Sequence, residues 1–185
     1  MRITFMKKLL MIAIIPCLVV CICMCILAAN NLERNMTTEV SETLRATAYS
    51  LAYDDTQDCL NGYKSTLDID VTVFHGDERT VTTVPGSVGT KADPSIYATV
   101  RSGKEYFSTN ANVNGKEYFG YYIPLYDSEQ AFVGMSFAGK PTEKVQTVIG
   151  GTILKMIGSA IVIIGLVLAV VIIIAQYMKM LMNML

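Results

Sequence analysis

The 185-residue chain carries 15 Lys and Arg against 16 Asp and Glu, with one His and five Cys, and 52% of it is hydrophobic. A formal net charge of −1 offers no basic face for nucleic acid, and a single His without a Cys cluster excludes the usual zinc and His-based catalytic constellations. All the acidic residues fall between Glu33 and Glu143, so the charge sits in the middle and both ends are apolar.

Leu9–Ala29 is 21 residues without a charged side chain. At about 1.5 Å per residue it can cross roughly 30 Å of hydrocarbon as a helix. It is longer than the apolar core of a signal peptide. Bulky Ile26 or Leu27 stands where cleavage after Ala28 or Ala29 would need a small residue, so an uncleaved anchor is expected. Cys17, Cys21, Cys23 and Cys25 lie in this run and read as small apolar membrane residues rather than metal ligands. Downstream, Cys59 has no second Cys to pair with inside the domain; it is either a simple thiol or a cross-link between two copies.

Residues 30–63 read as one long helix. Leu32, Met36, Val40, Leu44, Ala48 and Leu51 recur at steps of three or four, and no Gly or Pro interrupts before Gly62. It is expected to continue straight out of the first span. Asp54, Asp55 and Asp58 would spread around that helix as solvated charges, so no metal site is expected there.

Beyond Asp68 the period changes to two. Ile69–Phe74 and Arg79–Val84 read as strands around a His75-Gly76-Asp77-Glu78 turn. Pro85–Thr90 is a loop. Asp93-Pro94 opens a short helix as N-cap and first-turn proline, and Gly103 closes it. Three strands follow: Glu105–Val113, a tight Asn114-Gly115 turn, Lys116–Leu125, a turn over Tyr126–Gln130, and Ala131–Gly139. Thr142–Lys155 then leads as helix into a second span. The predicted fold class is α+β: a five-stranded antiparallel sheet with a long N-terminal helix, flanked by two transmembrane helices.

The second uncharged run is Met156–Ala175, followed by Lys179. Its Gly165-xxx-Ala169 would let two helices approach closely. Arg2, Lys7, Lys8 and Lys179 in short flanks predict both termini in the cytoplasm of a two-pass plasma-membrane protein. The layout is a cytoplasmic N-terminus at 1–8, a span at 9–29, an extracellular domain at 30–147 with its α/β part at 68–140, a span at 156–175 and a cytoplasmic stub at 176–185.

Strand alternation sorts the sheet into two faces. Val71, Val73, Phe119, Tyr121, Ile123, Val133, Met135 and Phe137 are assigned to a bulky face against the long helix. Thr72, Phe74, Tyr118, Gly120, Tyr122, Gly134, Ser136 and Ala138 are assigned to a face with room, hydroxyls and rings, the composition of a small-molecule cavity. Arg79 and Lys91 bring positive charge to its rim, Arg79 with bidentate geometry for a carboxylate, and His75 a titratable donor. The competing readings are a solvated turn for Arg79 and His75 and ordinary core for the Tyr-rich strand. The candidate ligand-binding set is Thr72, Phe74, Arg79, Lys91, Tyr118, Tyr122 and Ser136, with no catalytic residue, metal or cofactor.

The ordered set Asp70–Asp77, Arg79, Val88-Gly89-Thr90, Gly103–Phe107, Val113–Tyr118, Tyr121–Leu125 and Val133–Pro141 resembles single Cache sensor domains of bacterial methyl-accepting chemotaxis receptors. The resemblance runs over residues 1–175. It implies a PAS-like sheet, a small extracellular ligand such as an organic acid or amino acid, and a homodimer along residues 30–63 and the membrane helices. The citrate-sensing relatives have an Arg-rich pattern that this sequence lacks. Such receptors continue into a HAMP linker and a signalling coiled coil, whereas this sequence stops at Leu185. The chain is then either a fragment of a receptor or a sensor without its own output, and the expectation is a non-enzymatic membrane-anchored sensor of the chemoreceptor type that binds a small metabolite. The alternatives are an output-less protein that pairs with a full receptor, and the sensor half of a histidine kinase or cyclic-nucleotide enzyme.

Overall fold

A computed structural model describes residues 2–184, and side chains other than those of residues 2–10, 12, 13, 17, 179 and 182–184. The flanking charges Arg2, Lys7, Lys8 and Lys179, and the thiol of Cys17, lie outside the described side chains. The chain divides into two units: Asn35–Val148, and the terminal stretches Met1–Arg34 with Ile149–Leu185.

The terminal unit is helical, formed by most of α1 (Arg2–Ser50) and of α4 (Thr142–Met184). Both helices are long and apolar enough to cross a membrane, and none of their most apolar windows is buried against protein. Ile22, Leu27, Ile161, Leu166 and Ile173 are each more than half exposed. Water would not tolerate such a surface, whereas hydrocarbon would. Two apolar helices thus flank the middle unit.

The long helix expected over 30–63 is two helices. α1 ends at Ser50 and α2 spans Gln57–Leu67. The break has a local cause. The Asp54 carboxylate accepts from the Thr56 amide (3.0 Å) and hydroxyl (2.7 Å), an Asx turn that competes with helical hydrogen bonding. Thr56, extended at ψ 146°, then caps α2 by accepting from the Cys59 amide at 3.4 Å. Leu51, the residue after α1, and Leu60 in α2 are both buried in the core.

Five strands form one antiparallel sheet: β1 Asp70–His75, β2 Glu78–Thr82, β3 Tyr106–Val113, β4 Lys116–Tyr126 and β5 Phe132–Pro141, in the order β2-β1-β5-β4-β3. The β1–β2 turn falls at Gly76-Asp77. Asn114 and Gly115 close β3–β4 with φ of +52° and +80°, a combination that Asn-Gly tolerates. Between β2 and β3 lies α3 (Pro94–Arg101), with Asp93 as its N-cap and Gly103 at φ +86° after it.

The register corrects the assignment of faces. β5 lies in the centre, where Thr72 pairs with Phe137, Phe74 with Met135, and Tyr122 with Phe137. Met135 and Phe137 therefore share a face with Thr72, Phe74, Tyr118 and Tyr122. Ser136 and Ala138 pair with Val73, Ile123, Val71 and Tyr121, and belong to the other face. The expected phase of β5 is inverted, because a one-residue slip moves a whole strand's side chains across the sheet. α1 packs on the Ser136 face, where the Ser136 hydroxyl donates to the Ala48 carbonyl at 2.8 Å. The opposite face and α3 enclose a core of Phe74, Ile96, Val100, Tyr122, Met135 and Phe137.

Candidate functional site

Arg79 is the most unusual side chain on the α3 side of the sheet. It is only 5% exposed. β2 and the loop after it form its enclosure: the Arg79 amide donates to the Thr90 carbonyl (2.9 Å), the Gly89 amide to the Arg79 carbonyl (2.8 Å) and the Ala92 amide to the Asp77 carbonyl (2.9 Å). The segment 89–92 thus returns alongside β2. One guanidinium nitrogen donates to the Thr90 hydroxyl (2.7 Å) and the Lys91 carbonyl (3.1 Å). The group lies 5.0 Å from the centre of the Phe74 ring.

Among the described residues no carboxylate pairs with Arg79, and its buried Nε has no hydrogen-bond partner. Ser87, fully buried in the same loop, has an unpartnered hydroxyl, while its carbonyl accepts from Thr90 at 2.6 Å. Burial lowers the Arg79 pKa, and the Tyr122 phenol opposes that. Arg nevertheless stays protonated in proteins. The result is a desolvated cation next to an orphan hydroxyl.

Tyr122 completes this end. It is 1% exposed, and burial pushes its phenol well above the usual range. Its ring lies 4.8 Å from that of Phe137, 6.2 Å from Tyr106 and 6.4 Å from Phe74. Among the described residues the Tyr122 and Tyr106 hydroxyls have no hydrogen-bond partner. This end of the sheet thus sets a cation and hydroxyl donors within an aromatic wall.

The other sequence candidates separate. Phe74 and Tyr122 meet Arg79. Thr72 is fully buried and its hydroxyl pairs with that of Thr82 at 2.7 Å, within the sheet. The Lys91 side chain turns to the surface and pairs with Asp77 at 2.9 Å, so its contribution to Arg79 is a backbone carbonyl. Tyr118 donates to Asp70 at 3.1 Å. That carboxylate also holds Lys64 (2.9 Å) and Thr83 (3.1 Å), at the edge of a separate open groove of about 900 Å³ that Lys116 and Lys144 also line. Ser136 is on the α1 face. His75 is exposed at the end of β1. Tyr106, Ser87 and Thr90 were not anticipated. The Asn-Gly turn alone would set Tyr106 opposite Ile123; a register shift between Ser108 and Ala111 brings it opposite Tyr122, so the sequence carries no signal for that pairing.

The family model for "Single cache domain 3" matches residues 52–152, more than half of the chain. The chain belongs to this family. No curated protein matches it. Among solved structures, this single Cache domain is similar to the Escherichia coli DcuS sensor domain, with TM-score 0.50 and 14% identity over 62% of this chain and 98% of that one. It is also similar to the Vibrio cholerae histidine kinase DctB sensor domain (TM-score 0.42, 12% identity, 66% of this chain and 52% of that one). A third is the Pseudomonas aeruginosa chemoreceptor PctC ligand-binding domain in complex with GABA (0.45, 9%, 66% and 63%). The chain thus spans nearly all of the first and about half of the second. At 14% identity the likeness to the first is one of fold.

Proposed function

We propose that this chain is a two-pass membrane sensor whose Cache domain binds a small organic carboxylate on the α3 side of the sheet. One observation carries the reading: Arg79 is a buried cation with no anionic partner among the described residues. Burying a lone charge costs several kcal/mol, and a ligand carboxylate would offset that cost. Of the acids at this end, Asp77 pairs with Lys91 and Asp93 caps α3 at 2.8 Å from the Ser95 amide, while Glu78 is exposed on the residue before Arg79. The aromatic wall favours an apolar body, so the class is read as a short apolar monocarboxylate, with an amino acid as the competing class.

In this reading residues 30–147 lie outside the cell and both termini inside, as Arg2, Lys7, Lys8 and Lys179 favour. Two copies pair along α1 and the membrane helices. The output is of the chemotaxis-receptor type. The binding step would be the same beneath a histidine kinase.

The test is thermal unfolding of the full chain in detergent, followed through its 10 Tyr in the absence of Trp. Propionate, isobutyrate and benzoate are compared with L-valine, succinate and citrate. A raised midpoint with one or more monocarboxylates is expected. A response to L-valine alone would refute the ligand class, and none across the panel would refute the binding reading.

A further inference from the structure

We infer that Glu105 is the positioning residue through which the Arg79 side of the sheet acts on α1. The inference rests on the binding reading above but concerns the opposite face. Glu105 directly precedes β3. Its carboxylate accepts four hydrogen bonds: from Arg45 Nε (2.7 Å) and a terminal Arg45 nitrogen (3.0 Å), from the Tyr49 hydroxyl (2.5 Å) and from the Tyr121 hydroxyl (2.6 Å). Arg45 and Tyr49 are one turn apart on α1. Tyr121 is on β4.

The same stretches of chain carry the ligand-side aromatics. Tyr106 follows Glu105, and Tyr122 follows Tyr121. Tyr106 and Tyr122 are register partners whose rings lie 6.2 Å apart on the Arg79 side. Successive strand residues point to opposite faces. A displacement of the Tyr106–Tyr122 pair is therefore handed on by immediate chain neighbours, with no flexible segment between, to Glu105, which grips α1, and to Tyr121, which holds Glu105. The other polar tie described above, from Ser136 to the Ala48 carbonyl, falls within the same turn of α1.

The grip is not an ordinary surface ion pair. It is bidentate and buttressed by two phenols, a geometry that specifies position as well as energy. Its charges are fixed at physiological pH. Arg45 above all holds the Glu105 carboxyl down to about 2, and burial together with Glu105 pushes the Tyr121 phenol up to about 12. The link is mechanical rather than pH-sensitive.

The experiment uses the full chain in detergent with isobutyrate, or whichever monocarboxylate of the panel raises the midpoint. Binding is read by the midpoint shift, and the response of α1 by amide hydrogen exchange over residues 40–50. Wild type is expected to show both, with exchange in 40–50 changed at least about twofold. Glu105→Gln keeps the size of the side chain and removes the charge; Tyr121→Phe removes a single donor. Both are expected to keep the midpoint shift and to lose most of the α1 response, Glu105→Gln more completely. Binding in wild type without a change over 40–50, or a full α1 response in Glu105→Gln, would overturn the inference while leaving the binding reading intact. Loss of binding in both variants would place Glu105 in the integrity of the site and also overturn it. No midpoint shift with any monocarboxylate in wild type would remove the binding reading, and this inference with it.

Discussion

Arg79→Met separates the cost of a buried charge from its use. Methionine keeps an unbranched apolar stem and removes the cation. In the unliganded protein the change loses two charge-assisted hydrogen bonds, to Thr90 and the Lys91 carbonyl, and the contact with Phe74. It also removes the desolvation penalty and the orphan Nε. Replacing buried ionic groups by apolar ones is often neutral or stabilising, so the unliganded midpoint is expected to stay the same or rise. The ligand response should behave oppositely. A ligand at about 100 times its dissociation constant stabilises wild type by about 2.7 kcal/mol. For the 114-residue unit Asn35–Val148, an unfolding entropy near 2.1 cal/mol/K per residue gives about 0.24 kcal/mol/K, hence a shift of about 11 °C. Removing one partner of a desolvated charge pair costs about 2–5 kcal/mol of affinity. Even a loss of about 2.7 kcal/mol brings the same concentration down to the dissociation constant, where stabilisation is about 0.4 kcal/mol and the shift under about 2 °C. The assay is paired melting curves of both proteins with and without the monocarboxylate. A full shift in Arg79→Met, or an unliganded variant destabilised by several kcal/mol, would refute the reasoning.

Three further outcomes follow from the packing. Glu105 has a folded pKa of about 2 against an ordinary 4.5, so its stabilisation is complete above about pH 4.5 and is lost as pH falls toward 2. Glu105→Gln should therefore lie below wild type in stability at pH 7 by about 1–2 kcal/mol, allowing for partial exposure, and urea titrations of the two should converge near pH 2. Ser136→Ala, on the α1 face, should cost about 1 kcal/mol in the same titration and leave the carboxylate shift unchanged. Gly134→Ala should prevent folding, seen as loss of cooperative melting, because the added Cβ would overlap the Phe74 carbonyl oxygen where β5 lies against β1.

Element order was legible wherever local chemistry decides it. Asp93-Pro94, Gly103 and Asn114-Gly115 each fix a backbone geometry by themselves, and the boundaries they predict agree with the structure to within a residue or two. The phase of β5 was not legible. Its residues Gly134–Ala138 are buried on both faces, since β5 lies between β1 and β4 with α1 and α3 on either side. Alternation of polar and apolar residues, the usual marker of the inner face, is therefore missing. Alternation counted in the wrong phase sets Ser136 beside Thr72, whereas its hydroxyl serves a helix carbonyl. The break at 51–56 is hidden because no Gly or Pro marks it before Gly62; the Asx turn at Asp54 makes it instead. Arg79 was legible as a residue type. Its burial was not, because that depends on a loop that folds back along β2.

The two faces of the sheet are satisfied to different degrees, and the difference is what makes one of them a site. On the α1 face Ser136 is partnered by the Ala48 carbonyl and Glu105 by four donors. Among the described residues, the two buried side-chain polar atoms without a partner are Arg79 Nε and Ser87 Oγ. Both belong to the β2–α3 segment, and Thr90 connects them through its bonds to each residue. An unsatisfied buried polar group costs about 1–3 kcal/mol, a large share of the 5–15 kcal/mol that holds a domain folded. Random imperfection would scatter such groups over both faces. Their confinement to β2 and the loop after it, on a cation without a counter-ion and beside two phenols without partners, is the arrangement expected where an outside group completes the hydrogen bonding.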